Sequence, residues 1–364
     1  MLKKRNHAGK VLTMLPLLCA VAASTAYGAG EFQSQATGGG DQDPLFLTAT
    51  NGTTNYLAVV NTRTKEVDFV PTGGAGGATG NAGGVAAEGQ LAAAVNFGSF
   101  SVTIFVRQGN AMQPVQTVKT TSRPLSVAFG HDHLVVLGLT TAESFPVYGT
   151  SVGANDGIVP LQIGDGSAAQ IVTYSGGAVY TEKSGNIGEL NLSTNGAPGI
   201  SGPSVAVALP PAPNNNTPFG MVARGANVYV TIAHSDLEAL VVNGQIVSTA
   251  AGPTPYKDQS GNIIHAPCWN ALAGQFLFSS DSPGKQLLRY LVSDSNVFFD
   301  KASVATLMGA PTDLAIQDSL LGVIDGGDGV NSDVSLFDMT SEGELTLRFA
   351  VKIAGPITGA AIVP

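Results

Sequence analysis

Seven side chains carry the chemistry this sequence could perform. Glu182, in VYTEK, closes a β-rich run beside Lys183. His234 follows a similar run in TIAHSD, two residues before Asp236, and His265 lies in IIHAPCW ahead of Trp269, the one tryptophan. Arg123 stands immediately before the run PLSVAFG. A carboxylate or imidazole can take a proton from an attacking water. A guanidinium can hold a carboxylate or phosphate through two parallel N–H donors. The set therefore reads as an acid–base site with Glu182, His265 and His234 as catalytic candidates. Arg123, Lys183, Asp236 and Trp269 are the candidates for binding substrate.

Other clusters read as structure. His131 and His133 in GHDHL have the His-x-His form of a metal pair, but the sequence places them on a hairpin turn. Asp325, Asp328, Asn331 and Asp333 in DGGDGVNSD are dense in oxygen, yet the calcium-loop spacing and its terminal Glu are missing. Asp-Gly pairs of this kind make tight turns. GGAGGATGNAGG, residues 73–84, lacks the Gly-Lys-Ser/Thr of a phosphate cradle and reads as a flexible crossover. No Cys-x-x-Cys-His attaches a haem. The sequence implies neither a cofactor nor a metal. Asn51-Gly52-Thr53 and Asn191-Leu192-Ser193 are glycosylation sequons.

What must position these residues is a repeated β unit. Helical periodicity is nearly absent. The clearest unit reads GGVAAEG, QLAAAVNFG, SVTIFVRQG and MQPVQTVK, four strands near 83–89, 90–97, 101–108 and 112–119. In order, a is small and apolar, b apolar throughout, c alternating and d polar. This gradient suits a sheet crowded at its inner edge and wet at its outer edge. Equivalent units start near 84, 124, 168, 218, 267 and 311, and the third loses regularity beyond Ser144. A spacing of about 40–50 residues with four strands per unit is the propeller signature. The first segment supplies three strands (PLFLTATN, NYLAVVN, EVDFVPT) and the last supplies one, PITGAAIVP. Joined, they complete a seventh blade and leave no large open edge. The expected fold is all-β: a seven-bladed propeller of four-stranded antiparallel blades closed by the C-terminal strand. Strand a then lines the channel, and the b–c hairpins and d-to-a crossovers form the top face, where the candidate residues gather.

Residues 1–28 read as an export signal: a basic start, an apolar run from Val11 to Ala23, and small residues at Ala26 and Gly28. Residues 29–44, rich in Gly, Gln and Asp, read as a flexible lead-in, and 45–364 as one propeller domain. Removing Lys3, Lys4, Arg5 and Lys10 takes the formal charge from −9 to −13. So acidic a chain has no basic footprint for nucleic acid. No later run is long enough to span a membrane. After cleavage Cys268 stands alone and no intrachain disulfide can form. The expected protein is an exported monomer, periplasmic or extracellular.

Several phrases carry a family resemblance: GGVAAEGQLAAAVNFGSFSVTIF, RPLSVAFGHDHLVVLG, PCWNALAGQFLFSSDSPGKQLLRY and PTDLAIQDSLLGVIDGGDG. Over residues 45–364 the chain resembles the secreted lactonase-like propellers, relatives of 6-phosphogluconolactonase and of the carboxymuconate-lactonizing propellers. The resemblance implies metal-independent hydrolysis of a small lactone at the top of the channel by an Arg, a His and a Glu. Where family enzymes place Arg-His at the start of a later strand a, this chain has Pro267-Cys268-Trp269. Where they place Glu after strand b, it has Ser279 and Ser280. The alternative is a non-catalytic propeller whose top face binds a small molecule, glycan or protein.

Overall fold

The computed structural model describes residues 42–193, 199–211, 217–253 and 267–364. They form seven antiparallel sheets arranged as blades. The innermost strands, a, are Val85–Glu88, Pro124–Gly130, Ala168–Tyr174, Pro218–Arg224, Pro267–Ala273 and Pro311–Gln317 in blades 2 to 7. Thr358–Val363 supplies strand a of blade 1. Proline opens four of these strands, at a position where its missing N–H costs no ladder bond. Strands b of blades 2 to 7 are buried at every residue, their apolar runs and the polar residues that end them alike. Strands d are the most exposed, and Gln245–Ala251 alternates between exposed and half-buried residues. Blade 3 is irregular at its rim. Both Ser151–Val152 and Gly157–Pro160 pair with its strand c, Thr141–Tyr148.

The ring closes as the pattern requires. Thr358–Val363 pairs antiparallel with Leu45–Ala49, matching Leu45 to Val363 and Phe46 to Ile362. Arg107, on strand c of blade 2, reinforces the joint. Its guanidinium donates to the carbonyls of Asp43, Val363 and Pro364, so one buried cation ties both ends of the domain to the neighbouring blade.

The core lies between blades. Each seam is filled from the b and c strands of one blade and the a, b and c strands of the next. Ile187, Met221 and Val230 fill the seam between blades 4 and 5, and Leu287, Leu314 and Val323 that between 6 and 7. Hydroxyls add polar laces between blades. Thr181 donates to the Phe219 carbonyl at 2.6 Å, and Thr231 to that of Cys268 at 3.3 Å. No helix among the described residues is long and apolar enough to cross a membrane.

Candidate functional site

The Gly-rich crossover, residues 73–84, sets the geometry of the channel. Its composition suggests a flexible link, but it is pinned across the top of the wheel. Asn51 accepts from the Gly77 and Ala78 amides at 2.7 and 2.9 Å and donates to the Ala78 carbonyl at 2.6 Å. Asn51 is thereby spent on holding this segment. Asn81 donates to the Leu125 carbonyl at 2.6 Å, and the Ala82 amide to the Ala169 carbonyl at 3.2 Å. Gly83 exchanges bonds with two blades. Its carbonyl accepts from Val127 at 2.8 Å, and its amide donates to Asp313 at 2.9 Å. Gly83 sits at φ +64°, and a Cβ there would stand 2.9 Å from Ser126 Oγ, so only glycine fits.

The channel is therefore sealed at one end. Strands a of blades 3, 4, 5 and 7 pass from buried at their first residues to half-buried at their last, for example Pro218–Arg224. A cavity of about 380 Å³ remains below the seal, lined by all seven strands a. Among the described residues its one carboxyl is Asp313. That group is enclosed, and burial raises its pKa to about 7 against the backbone donors of Gly83, Leu314 and Ala360.

The residues marked by sequence occupy separate places. Glu182 is fully buried, and both its oxygens are engaged. Oε1 accepts from Gly164 at 2.7 Å, and Oε2 from Ile163 at 3.1 Å and Asn186 at 2.8 Å. It clasps the crossover into its own blade. Lys183 donates to the Gly80 carbonyl and lies 5.7 Å over the Phe219 ring, and burial lowers its pKa. Trp269 is buried; its indole N–H donates to the Asn81 carbonyl at 3.1 Å, and Phe219 meets it edge-on at 5.1 Å. Lys183 and Trp269 are thus brought together, through Phe219 and the Gly-rich segment.

His234 shares a 2.8 Å bond with the Thr217 hydroxyl on the rim. Asp236, at φ 52°, ends the short turn Ala233–Ser235, and its carbonyl accepts from Gly252. Among the described residues Glu182, Arg123 and His234 share no hydrogen-bond partner. His265 lies outside the described residues. Arg123 is exposed, with its guanidinium 5.2 Å from the Phe97 ring and 5.1 Å from Phe100. Among the described residues its side chain makes no hydrogen bond or ion pair, so its N–H donors face outward.

The remaining clusters make local hydrogen bonds. His131 and Asp132 both have positive φ, 54° and 58°, as a two-residue hairpin demands. His133 is bonded to Asp156 at 2.9 Å, and Asp156 accepts from Ser144 at 2.7 Å. Asp328 caps its own hairpin through Val330 and Asn331 and pairs with Lys352 at 2.9 Å. Among the described residues no three His, Cys, Asp or Glu side chains gather as a metal-binding group. Burial pushes the Cys268 thiol up to about 12, which leaves it without thiolate character.

No protein-family model matches the chain, and no curated protein matches it by sequence. Solved structures do. A periplasmic gluconolactonase of Pseudomonas aeruginosa superposes with a TM-score of 0.63 at 15% identity, covering 88% of this chain and 99% of that one. A 6-phosphogluconolactonase candidate of Bacteroides fragilis gives 0.62 at 13% identity, covering 89% and 99%. A protein of Lactobacillus plantarum gives 0.66 at 13% identity, covering 89% and 100%. The shared fold is the seven-bladed propeller. At these identities the likeness is one of fold. The places where the chain departs from the expected Arg-His and Glu pattern are built into its wall. Pro267-Cys268-Trp269 opens strand a of blade 6, and Ser279 and Ser280 are buried in its strand b.

Sequence reasoning missed Asn81 and Asp313. A signal existed. The third residue of strand a is Ser126, Gln170, Gly220, Trp269 and Asp313 in blades 3 to 7. A position so variable, among strands that otherwise repeat, marks the level at which the channel is closed.

Proposed function

We propose that this chain is an exported, monomeric propeller that binds a small anionic molecule on its top face. The observation that carries this reading is the state of Arg123. Two aromatic rings hold its guanidinium, and its donors remain open to solvent. A stiffened, unpaired guanidinium in so acidic a chain selects a carboxylate or phosphate over a cation. The same geometry weighs against hydrolysis at Glu182, whose lone pairs are taken by three N–H donors. A base must reach the water it activates. The basic leader at residues 1–28 supports export, and so does the periplasmic location named for the P. aeruginosa neighbour.

Calorimetric titration of the mature protein with sugar acids, their phosphates and their lactones tests the reading. The expected result is binding of the acids, lost in Arg123→Ala, without turnover of the lactones. Lactone hydrolysis that falls in Glu182→Gln would establish the enzymatic alternative, which the fold likeness to two lactonase-named proteins favours.

A further inference from the structure

One seam differs from its counterparts. Residues facing each other across the seams between blades 4 and 5 and between blades 6 and 7 are apolar at the equivalent positions. Ile187 pairs with Thr181 in blade 4 as Glu238 pairs with Thr231 in blade 5 and Leu287 with Ser280 in blade 6. Across the seam, Met221 pairs with Val230 in blade 5 and Leu314 with Val323 in blade 7, whereas blade 6 pairs Asn270 with Ser279. Thus Glu238, Asn270 and Ser279 replace three apolar side chains at the junction of blades 5 and 6. Tyr290 adds a hydroxyl where the equivalent residues are Val241 and Phe337.

These polar groups are sealed in and incompletely satisfied. Glu238, Ser279 and Tyr290 are wholly buried, and Asn270 is 8% exposed. Asn270 Nδ2 donates to Glu238 Oε1 at 2.7 Å. Glu238 Oε2, Asn270 Oδ1, Ser279 Oγ and Tyr290 OH have no hydrogen-bond partner. Each such atom costs about 1–3 kcal/mol if left bare, and the same chain fills the equivalent positions of the 4–5 and 6–7 seams with apolar side chains. All four unpartnered atoms are oxygens. Tyr290 lies in the field of Glu238, and Asp236 and Asp281 add to it. Among the described residues no cation pairs with Glu238. Burial of its carboxyl without a counter-charge pushes its pKa well above the usual range.

We propose that the seam between blades 5 and 6 holds one monovalent cation, bound by Glu238 Oε2, Asn270 Oδ1, Ser279 Oγ and Tyr290 OH. One carboxylate with three neutral oxygens is a hard-ligand set of charge −1, which a single sodium or potassium ion neutralises. Calcium and magnesium sites are built with more carboxylates or with retained waters. The ion adds a joint between two blades that are already laced by Thr231 to the Cys268 carbonyl and Tyr229 to the Ser293 carbonyl, and it is independent of whatever binds at Arg123.

Thermal unfolding of the mature protein in sodium, potassium and N-methyl-glucamine chlorides at equal ionic strength tests the site. The midpoint is expected to rise saturably with sodium or potassium, by on the order of 5 °C at a hundredfold excess over Kd. N-methyl-glucamine should give no rise, and Glu238→Gln should erase the difference. Should that variant fail to fold, wild-type crystals soaked in rubidium decide, with an anomalous peak expected between Glu238 and Tyr290. Equal midpoints in all three chlorides would overturn the proposal. So would an anomalous map without that peak, or ordinary water density in its place.

Discussion

The Gly83 amide donates to Asp313 Oδ2 at 2.9 Å, joining residues 230 positions apart across the top of the channel. Asp313 is the carboxyl whose pKa is raised to about 7 from 3.8, chiefly by burial. A carboxyl raised on folding binds its proton more tightly in the native state. Its contribution to stability is complete below the unfolded value and is lost as pH climbs through the folded one. The loss spans pH 4 to 7 and amounts to about 4 kcal/mol at most. The melting temperature of the wild type should therefore fall relative to Asp313→Asn between pH 5 and pH 8. Parallel melting curves over that range would remove Asp313 as the cause.

Much of the wheel was readable from residue type. The expected strand a starts at 124, 168, 218, 267 and 311 are the observed ones, because proline or a small residue follows each polar crossover. In blade 2 the expected 101–108 is the observed Ser101–Gln108, and the other three strands shift by two residues or fewer at each end. The pairing of the last strand with the first was also legible, since neither end could complete a sheet alone. The site was not. A Glu at a strand end reads the same whether it meets solvent or three N–H groups, and Glu182 meets the latter. The Gly-rich crossover reads as loose because glycine has no side chain to betray its partners. Its partners lie far along the chain, Asn51 at 26 residues or more and Leu125, Trp269 and Asp313 at 44 or more.

Glu182 should behave as a structural clasp. Glu182→Ala leaves the Ile163 and Gly164 amides and the Asn186 side chain without their acceptor. Losing acceptors for buried donors costs about 1–3 kcal/mol each at the upper limit. Denaturant unfolding should show a loss of about 2–4 kcal/mol. A stable variant would mean that solvent or another group replaces the carboxylate at the crossover.

Arg107 should be worth more than a surface arginine. It serves carbonyls at both ends of the domain, whereas Arg224 is half-exposed and stands 3.9 Å from a fully exposed Asp294. Arg107→Ala strands buried carbonyls at the ring joint and should lower stability by about 3 kcal/mol. Loss of the Arg224–Asp294 pair, through Asp294→Ala, should change stability by less than about 0.5 kcal/mol. Chemical denaturation of the two variants side by side settles the ranking, and equal effects would show that the joint holds without its guanidinium.

Trp269 makes the channel seal visible, because the sequence has one tryptophan. Its indole is buried against Phe219 and tethered to the Asn81 carbonyl, so the folded protein should emit at short wavelength and resist quenching by acrylamide. The same fluorescence reports on the Asp313 latch. Asp313→Ala removes the acceptor that holds Gly83, two residues beyond Asn81, and should loosen the segment above the indole. The expected result is a red shift and several-fold faster quenching while the β-sheet circular dichroism stays unchanged. Trp269→Phe keeps the ring against Phe219 but gives up the bond to Asn81, and should cost about 1 kcal/mol. If Asp313→Ala left the emission of Trp269 untouched, the seal would rest on Asn51 and Asn81 alone, and the carboxyl would be free to serve the cavity beneath it.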